Sequence, residues 1–309
     1  MDNIFDGKKR YNTFDSFFKA KFGCKVAKIP LNGGFTCPNR DGTKGYGGCI
    51  YCSESKSGEF AGNPEDSVEV QFEKIKSMMA SKWKDTKYMP YFQAGTNTYA
   101  SLEKLKLLYE PVLKKENVVA FSIATRPDCI ESDVLDYLED VSKRVFLTVE
   151  LGLQSVFDET GDIINRRTTY AEFLDCFYRL KERNIPVCVH LINGLPNEDY
   201  GMMMHSVKTV SDLHPWAIKL HMLHILKGTV CEKMYLDGKI KVFSLDEYVK
   251  LVCDELEITE KNIVIQRLTG DGARDALIAP LWSIKKFEVL NSIDREFERR
   301  GTYQGIYAN

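Results

Sequence analysis

Short apolar runs alternate with longer amphipathic stretches through most of this 309-residue chain. Compact runs rich in β-branched and aromatic residues predict buried strands, and apolar positions recurring every third or fourth residue predict helices packed against them. Repetition of the pair predicts βα units and a parallel sheet. Candidate strands are KVAKIPL (25–31), YMPYFQA (88–94), VVAFSIA (118–124), VFLTVELG (145–152), IPVCVHLI (185–192) and WAIKLHML (216–223), with NIVIQRL (262–268) as a candidate seventh. Between them lie the helical patterns SVEVQFEKIKSMMASKW, SLEKLKLLYEPVLKK, ESDVLDYLED, TYAEFLDCFYRLKERN and DYGMMMHSVKTVSDL, and LWSIKKFEVLNSIDREFERRG predicts a closing helix. Six such units predict an α/β fold, a partial (β/α)6 TIM-like barrel open at one side. In parallel barrels the chemistry gathers at the C-terminal strand ends.

No Pro/Gly/Ser-rich linker divides the chain, so the expected organisation is one catalytic domain with short extensions. We expect a basic N-terminal extension at 1–24, the barrel at 25–260 with a loop at 32–52, and a C-terminal extension at 261–309 closing the barrel. A hydrophobic content of 44% supports a large core, and no stretch is long and apolar enough to span a membrane. The net charge of −2 argues against a uniformly basic nucleic-acid-binding surface. Charge is uneven, however: residues 1–30 carry seven Lys/Arg against three Asp, and Lys285, Lys286, Arg295, Arg299 and Arg300 form a second basic group. Each group reads either as a phosphate contact or as a solvated helix face.

The loop after the first candidate strand carries Cys37, Cys49 and Cys52 at the spacing C-x11-C-x2-C, with no fourth cysteine at ligand spacing. Three thiolates are one too few to close a metal site. A 4Fe-4S cluster on three cysteines leaves one iron open to a small molecule, whereas structural zinc and electron-transfer clusters normally take four protein ligands. A zinc site completed by histidine is the rival reading, but all five histidines lie downstream, from His190 onward. A disulfide framework is disfavoured by the odd count of nine cysteines and an N-terminus, MDNIFDGKKRYNTF, without an apolar signal core. The expected setting is a reduced, cytoplasmic one. Tyr51, just before the last cysteine, is an aromatic suited to lie against the adenine of a cofactor.

The other strand ends supply polar candidates. Gln93-Ala94-Gly95-Thr96-Asn97-Thr98 follows the second strand and reads as a close-approach backbone segment or as a turn with a helix cap. Arg126 in Thr125-Arg126-Pro127-Asp128 suits a carboxylate or phosphate, or an internal pair with Asp128. Glu150 is an acid in a mostly apolar strand, costly unless it meets a partner such as a ribose hydroxyl or an ammonium. His190, His221 and His224 fall at two neighbouring strand ends; on one strand 221 and 224 differ in parity, which favours His221 for the barrel mouth unless the strand has ended by 223. The glycines of Gly45-Tyr46-Gly47-Gly48 match no phosphate-binding fingerprint and are expected to let the cysteine loop fold tightly.

Taken together, FTCPNRDGTKGYGGCIYC, QAGTNTYA, ATRPD, VELGLQS, INRRTT, HLINGLP, KLHMLHILKGT and QRLTGDG resemble the radical S-adenosylmethionine (radical SAM) superfamily. The likeness is to its YhcC/YtqA (MnmL) type, related to the radical domain of the elongator catalytic subunit. It implies a 4Fe-4S cluster on Cys37, Cys49 and Cys52, and SAM contacts from Tyr51, Gln93, Gly95, Thr96, Glu150, Gln154 and Arg166. Where relatives read Asn-Arg-Gly-His, this chain has Asn165-Arg166-Arg167-Thr168. The resemblance further implies a tRNA substrate, conversion of the 5-carboxymethylaminomethyl group of wobble uridine to 5-aminomethyl, an electron donor such as flavodoxin or ferredoxin, and a downstream methyltransferase. Hydrogen abstraction beside the side-chain nitrogen, oxidation to an imine and hydrolysis would release the two-carbon fragment. Arg126, His190, His221, Lys227 and Arg267 are the substrate candidates. An acetyltransferase domain and use of acetyl-CoA are not expected. Rival readings are radical SAM chemistry on another RNA or a small molecule, and a non-catalytic iron-sulfur RNA-binding or sensor protein.

Overall fold

The computed structural model describes residues 5, 9–56, 58, 60–80, 85–270, 272 and 274–308. Positions 81–83 of the first helical pattern, Asp271 of QRLTGDG, and 1–4 and 6–8 of the N-terminal basic run lie outside the described residues. In chain order the elements of the first half are α1 (Phe14–Phe22), β1 (Val26–Leu31), α2 (Val68–Ala80), β2 (Lys87–Phe92), α3 (Leu102–Leu113), β3 (Ala120–Thr125), α4 (Ser132–Ser142) and β4 (Phe146–Gln154). The second half adds α5 (Asp158–Ile163), α6 (Tyr170–Glu182), β5 (Val187–Asn193), α7 (Tyr200–Asp212), β6 (Ala217–Met222), β7 (Ile225–Leu226), α8 (Val230–Leu236), α9 (Leu245–Ile258), β8 (Val264–Arg267), β9 (Leu277–Ala279) and α10 (Lys286–Arg300).

Seven strands form one parallel sheet in the order β1-β2-β3-β4-β5-β6-β8. The six expected strands are all present, and the NIVIQRL segment supplies the seventh by pairing with β6. Helices α1, α5, α8 and α9, the last opening on a capping box between Ser244 and Glu247, and the antiparallel β7–β9 pair went unread in the sequence. The sheet is strongly curled. Strands about 4.8 Å apart would leave β1 and β4 roughly 14 Å apart in a flat sheet, yet Lys28 of β1 reaches Glu150 of β4 at 2.5 Å.

The two ends of the half-barrel differ in chemistry. At the N-terminal strand ends, Phe17 and Phe18 of α1 pack with Phe146 and Trp216, with ring centroids 5.2–6.1 Å apart, and plug the barrel. Between sheet and helices, Phe92, Tyr109 and Phe121 lead the core at centroid spacings of 4.8–5.8 Å. The opposite end is left open as a cavity of about 560 Å³, to which every strand of the main sheet contributes. No described helix is long and apolar enough to cross a membrane.

Candidate active site

The cysteine loop is held by side chains that reach back into its own backbone. Arg40 donates to the carbonyls of Cys52 at 2.8 Å and Ser53 at 2.5 Å. Asn39 donates to the Asn165 carbonyl at 2.5 Å, and Asn165 returns a bond to Gly48 O at 2.7 Å. Gly48, at φ +77°, permits this packing, because a Cβ there would stand 2.8 Å from Arg40 Nε. Loop and β4–α6 connection are thereby locked together.

Cys37, Cys49 and Cys52 are half-buried, line the cavity and form no disulfide. Burial, and then the neighbouring Cys52, push the Cys49 thiol up to about 11, with Tyr51 and Arg126 opposing and Cys37 adding. Ionising these thiols in the cavity therefore calls for a cationic group among them. Its size is constrained by their spacing. Tetrahedral zinc, with Zn–S near 2.3 Å, draws its sulfurs to about 3.8 Å, but among the described residues only Glu150, Cys188 and His190 bring three ligand atoms within 4.8 Å of one another. The wider thiol triad fits a polynuclear cluster better than a single ion.

Tyr51, Gln93, Gly95, Thr96, Gln154 and Arg166 all line the same cavity. Gly95 also has a local role: at φ +76°, its missing Cβ would lie 2.6 Å from the Phe35 carbonyl oxygen, so the β2 end and the cysteine loop meet only over a glycine. Arg166 is buried, donating to the carbonyls of Leu153 at 2.6 Å, Ser155 at 2.7 Å and Thr168 at 2.7 Å, and pairing with Asp158 at 3.0 Å. Four of its five N–H donors thus brace the β4–α6 connection.

Glu150, fully buried, has the partner its strand position demands, and has it twice. Oε1 accepts from Lys28 at 2.5 Å and Ser122 at 2.7 Å; Oε2 accepts from Lys219 at 2.6 Å and His190 at 2.8 Å. Burial alone would raise its pKa, but Lys219, Lys28 and His190 hold it well below the usual carboxylate range. Burial lowers Lys219 to about 8 despite Glu150, and burial together with Lys219 lowers His190 to about 4. His221 is driven well below its ordinary value by burial, then by Arg267 and Lys219. Although Glu150, Cys188 and His190 are close enough to hold a metal, the two ammoniums already occupy the carboxylate.

The substrate candidates separate. His190, His221 and Arg267 line the cavity, and His224 does too, since β6 ends at Met222 and strand parity no longer applies. Lys227 is not among the residues lining it; its ammonium binds the Asp275 carbonyl at 2.8 Å beside the β7–β9 pair. Arg126 makes the internal pair, bidentate to Asp128 at 2.9 and 2.8 Å, and also bonds the Arg166 carbonyl and Thr168. It lines the wall with its donors already engaged. Of the C-terminal basic group, Arg299 pairs with Glu296 and Lys285 with Glu288 as a solvated helix face would, whereas Arg300 is largely buried and ties α10 to α9 through Asp254 and Glu257. Sequence reasoning missed Lys28, Tyr91, Lys219 and Gln266. Lys28 and Lys219, like Glu150, are charged residues inside apolar strands and need buried partners for the same reason.

Comparison with known proteins agrees with this geometry. Residues 36–210 match the radical SAM superfamily and residues 215–299 the radical SAM C-terminal domain. The chain is 50% identical over 300 residues to YtqA of Bacillus subtilis, covering 97% of this chain and 93% of that protein. It is 25% identical over 205 residues to a tRNA uridine(34) acetyltransferase of Methanocaldococcus infernus, covering 65% of this chain and 37% of that one. The solved structure of the archaeal Elp3 from Methanocaldococcus infernus shares the fold at a TM-score of 0.69 and 16% identity, over 90% of this chain and 64% of that chain.

Proposed function

The chain belongs to the radical SAM superfamily, in the family that includes YtqA, and from that premise we propose that it modifies tRNA at the wobble uridine, converting 5-carboxymethylaminomethyl-(2-thio)uridine to 5-aminomethyl-(2-thio)uridine. One observation carries the reading: three half-buried thiols line a large cavity at the C-terminal ends of the strands. Cys37, Cys49 and Cys52 would hold the 4Fe-4S cluster, and Tyr51, Gln93, Gly95, Thr96, Gln154 and Arg166 would surround SAM. When bound, the pair supplies a primary carbon radical able to take hydrogen from a methylene beside nitrogen. The chain's own task is to exclude water and orient that methylene. Glu150, tied on both oxygens, fixes the directions of Lys28, Lys219 and His190 rather than moving between partners. The RNA target is supported by the name of the tRNA uridine(34) acetyltransferase relative. Flavodoxin or ferredoxin would supply the electron, and a methyltransferase would act on the product.

Mass spectrometry of tRNA nucleosides from cells lacking the protein tests this reading. The carboxymethylaminomethyl form accumulates, and the wild-type gene restores the aminomethyl form or its methylated product while Cys49→Ala does not. An unchanged nucleoside profile contradicts it.

A further inference from the structure

At the bottom of the cavity two ammoniums, those of Lys28 and Lys219, face a single carboxylate. Lys28 and Lys219 share Glu150, whose two oxygens also accept from Ser122 and His190. Each oxygen already has two donors, so this carboxylate can take no further cation. Arg267, at the end of β8, lines the same space close enough to Lys219 and His221 to oppose their protonation. Among the described residues lining the cavity, Glu150 is the sole Asp or Glu side chain. Lys219 is 4% exposed, and an excess ammonium at that depth is costly unless an anion joins it.

A second observation points the same way. Beside these cations, His221 Nε2 and both polar atoms of the Gln266 side chain are buried with no hydrogen-bond partner. Both residues line the cavity. Buried polar groups are normally paired, so this wall is complete only with a ligand that offers hydrogen-bonding groups next to a negative charge. A backbone phosphate of folded RNA is a poor match for a site at the barrel bottom, whereas a carboxylate at the end of a base's side chain reaches it with the base above.

We propose that Lys219, with Arg267 and Lys28, receives the carboxylate of the substrate side chain, and that His221 and Gln266 meet the polar atoms beside it. The substrate class is thus a carboxylate-bearing nucleoside, an assignment that rests on the wobble-uridine reading above. Lys219 acts here as a binding residue and fixes which end of the side chain lies deepest.

The test measures binding by calorimetry to the cluster-loaded protein with SAM present. The probes are 5-carboxymethylaminomethyluridine, its methyl ester, and N-methylglycine, the side-chain fragment without the base. The wild type binds the acid at least tenfold tighter than the ester and binds N-methylglycine weakly. Lys219→Met abolishes the preference and the N-methylglycine binding, Lys219→Arg keeps most of both, and SAM affinity is the same in all three. Arg267→Gln, which leaves the Glu150–Lys219 pair intact, lowers acid affinity three- to tenfold without touching that of the ester. Equal binding of acid and ester by the wild type overturns the carboxylate site while leaving the wobble-uridine reading standing. N-methylglycine binding that depends on Lys219, with no binding of either nucleoside, keeps the carboxylate site and removes that reading. A preference that persists in Lys219→Met, or no binding of any probe, also overturns the proposal.

Discussion

Lys219 Nζ stands 2.6 Å from Glu150 Oε2, an ion pair that ties β6 to β4 across the intervening β5, whose His190 bonds the same oxygen at 2.8 Å. Three adjacent strands are therefore joined by side chains as well as by their ladders, at the point where the barrel opens into its cavity. Lys28 extends the tie to β1, with its ammonium 4.3 Å from the centre of the Tyr91 ring. A network of this kind holds the cavity wall in one arrangement.

Removing the carboxylate strands both ammoniums. Breaking a buried pair by deleting one partner costs about 3–5 kcal/mol, and Glu150→Gln is expected to lose stability on that scale in urea denaturation. The pH dependence has a definite sign. Because the folded pKa of Glu150 lies well below its ordinary 4.5, its contribution is complete above that value and disappears as pH falls through the folded one. The wild type therefore loses this part of its acid stability below pH 4.5, and Glu150→Gln shows a flatter profile there.

Ligand binding titrates at the other end. Lys219, lowered to about 8 mainly by burial, loses its charge as pH rises past that point, so affinity for a carboxylate falls by up to about tenfold per pH unit above it. Lys219→Arg stays charged and removes the fall. Calorimetric titrations with N-methylglycine between pH 7 and 9.5 check both arms.

Gly95 controls the meeting of β2 with the cysteine loop. In Gly95→Ala the new methyl would lie 2.6 Å from the Phe35 carbonyl in a backbone at φ +76°, so strand end or loop must shift. The expected result is at least a twofold drop in iron bound per protein after reconstitution, read by metal analysis, while the circular dichroism of the barrel is kept. Full iron loading would show that the loop adapts.

Much of the fold is legible in the amino-acid sequence. The βα alternation predicted six of the seven sheet strands, and offered the seventh as a candidate, because buried parallel strands are apolar on both faces, and Cys37, Cys49 and Cys52 stood out by their number and spacing. What meets across the barrel was not readable. Glu150 announced that it needed a partner, but that Lys28 and Lys219 supply it depends on the curl of the sheet. Lys227 followed a strand end in sequence and still missed the cavity, since β7 turns the chain away to pair with β9. For Arg126, local geometry decided: a carboxylate two residues on, at Asp128, completes a bidentate pair.

Arg167 has a left-handed backbone, at φ +57°. A side chain in that conformation costs about 1 kcal/mol or more, partly offset here by the bond from its Nε to Asn165 at 2.7 Å. Arg167→Gly is expected to leave stability unchanged or raise it by up to about 1 kcal/mol, measured by thermal denaturation of the purified protein.

Purified, cluster-reconstituted protein with SAM, a reductant and tRNA carrying 5-carboxymethylaminomethyluridine at the wobble position, followed by mass spectrometry of the digested nucleosides, decides whether the wobble uridine is the substrate. The expected result is conversion to 5-aminomethyluridine with formation of 5′-deoxyadenosine, both abolished in Cys49→Ala. Formation of 5′-deoxyadenosine with the wobble nucleoside unchanged, across tRNAs and reductants, would contradict it.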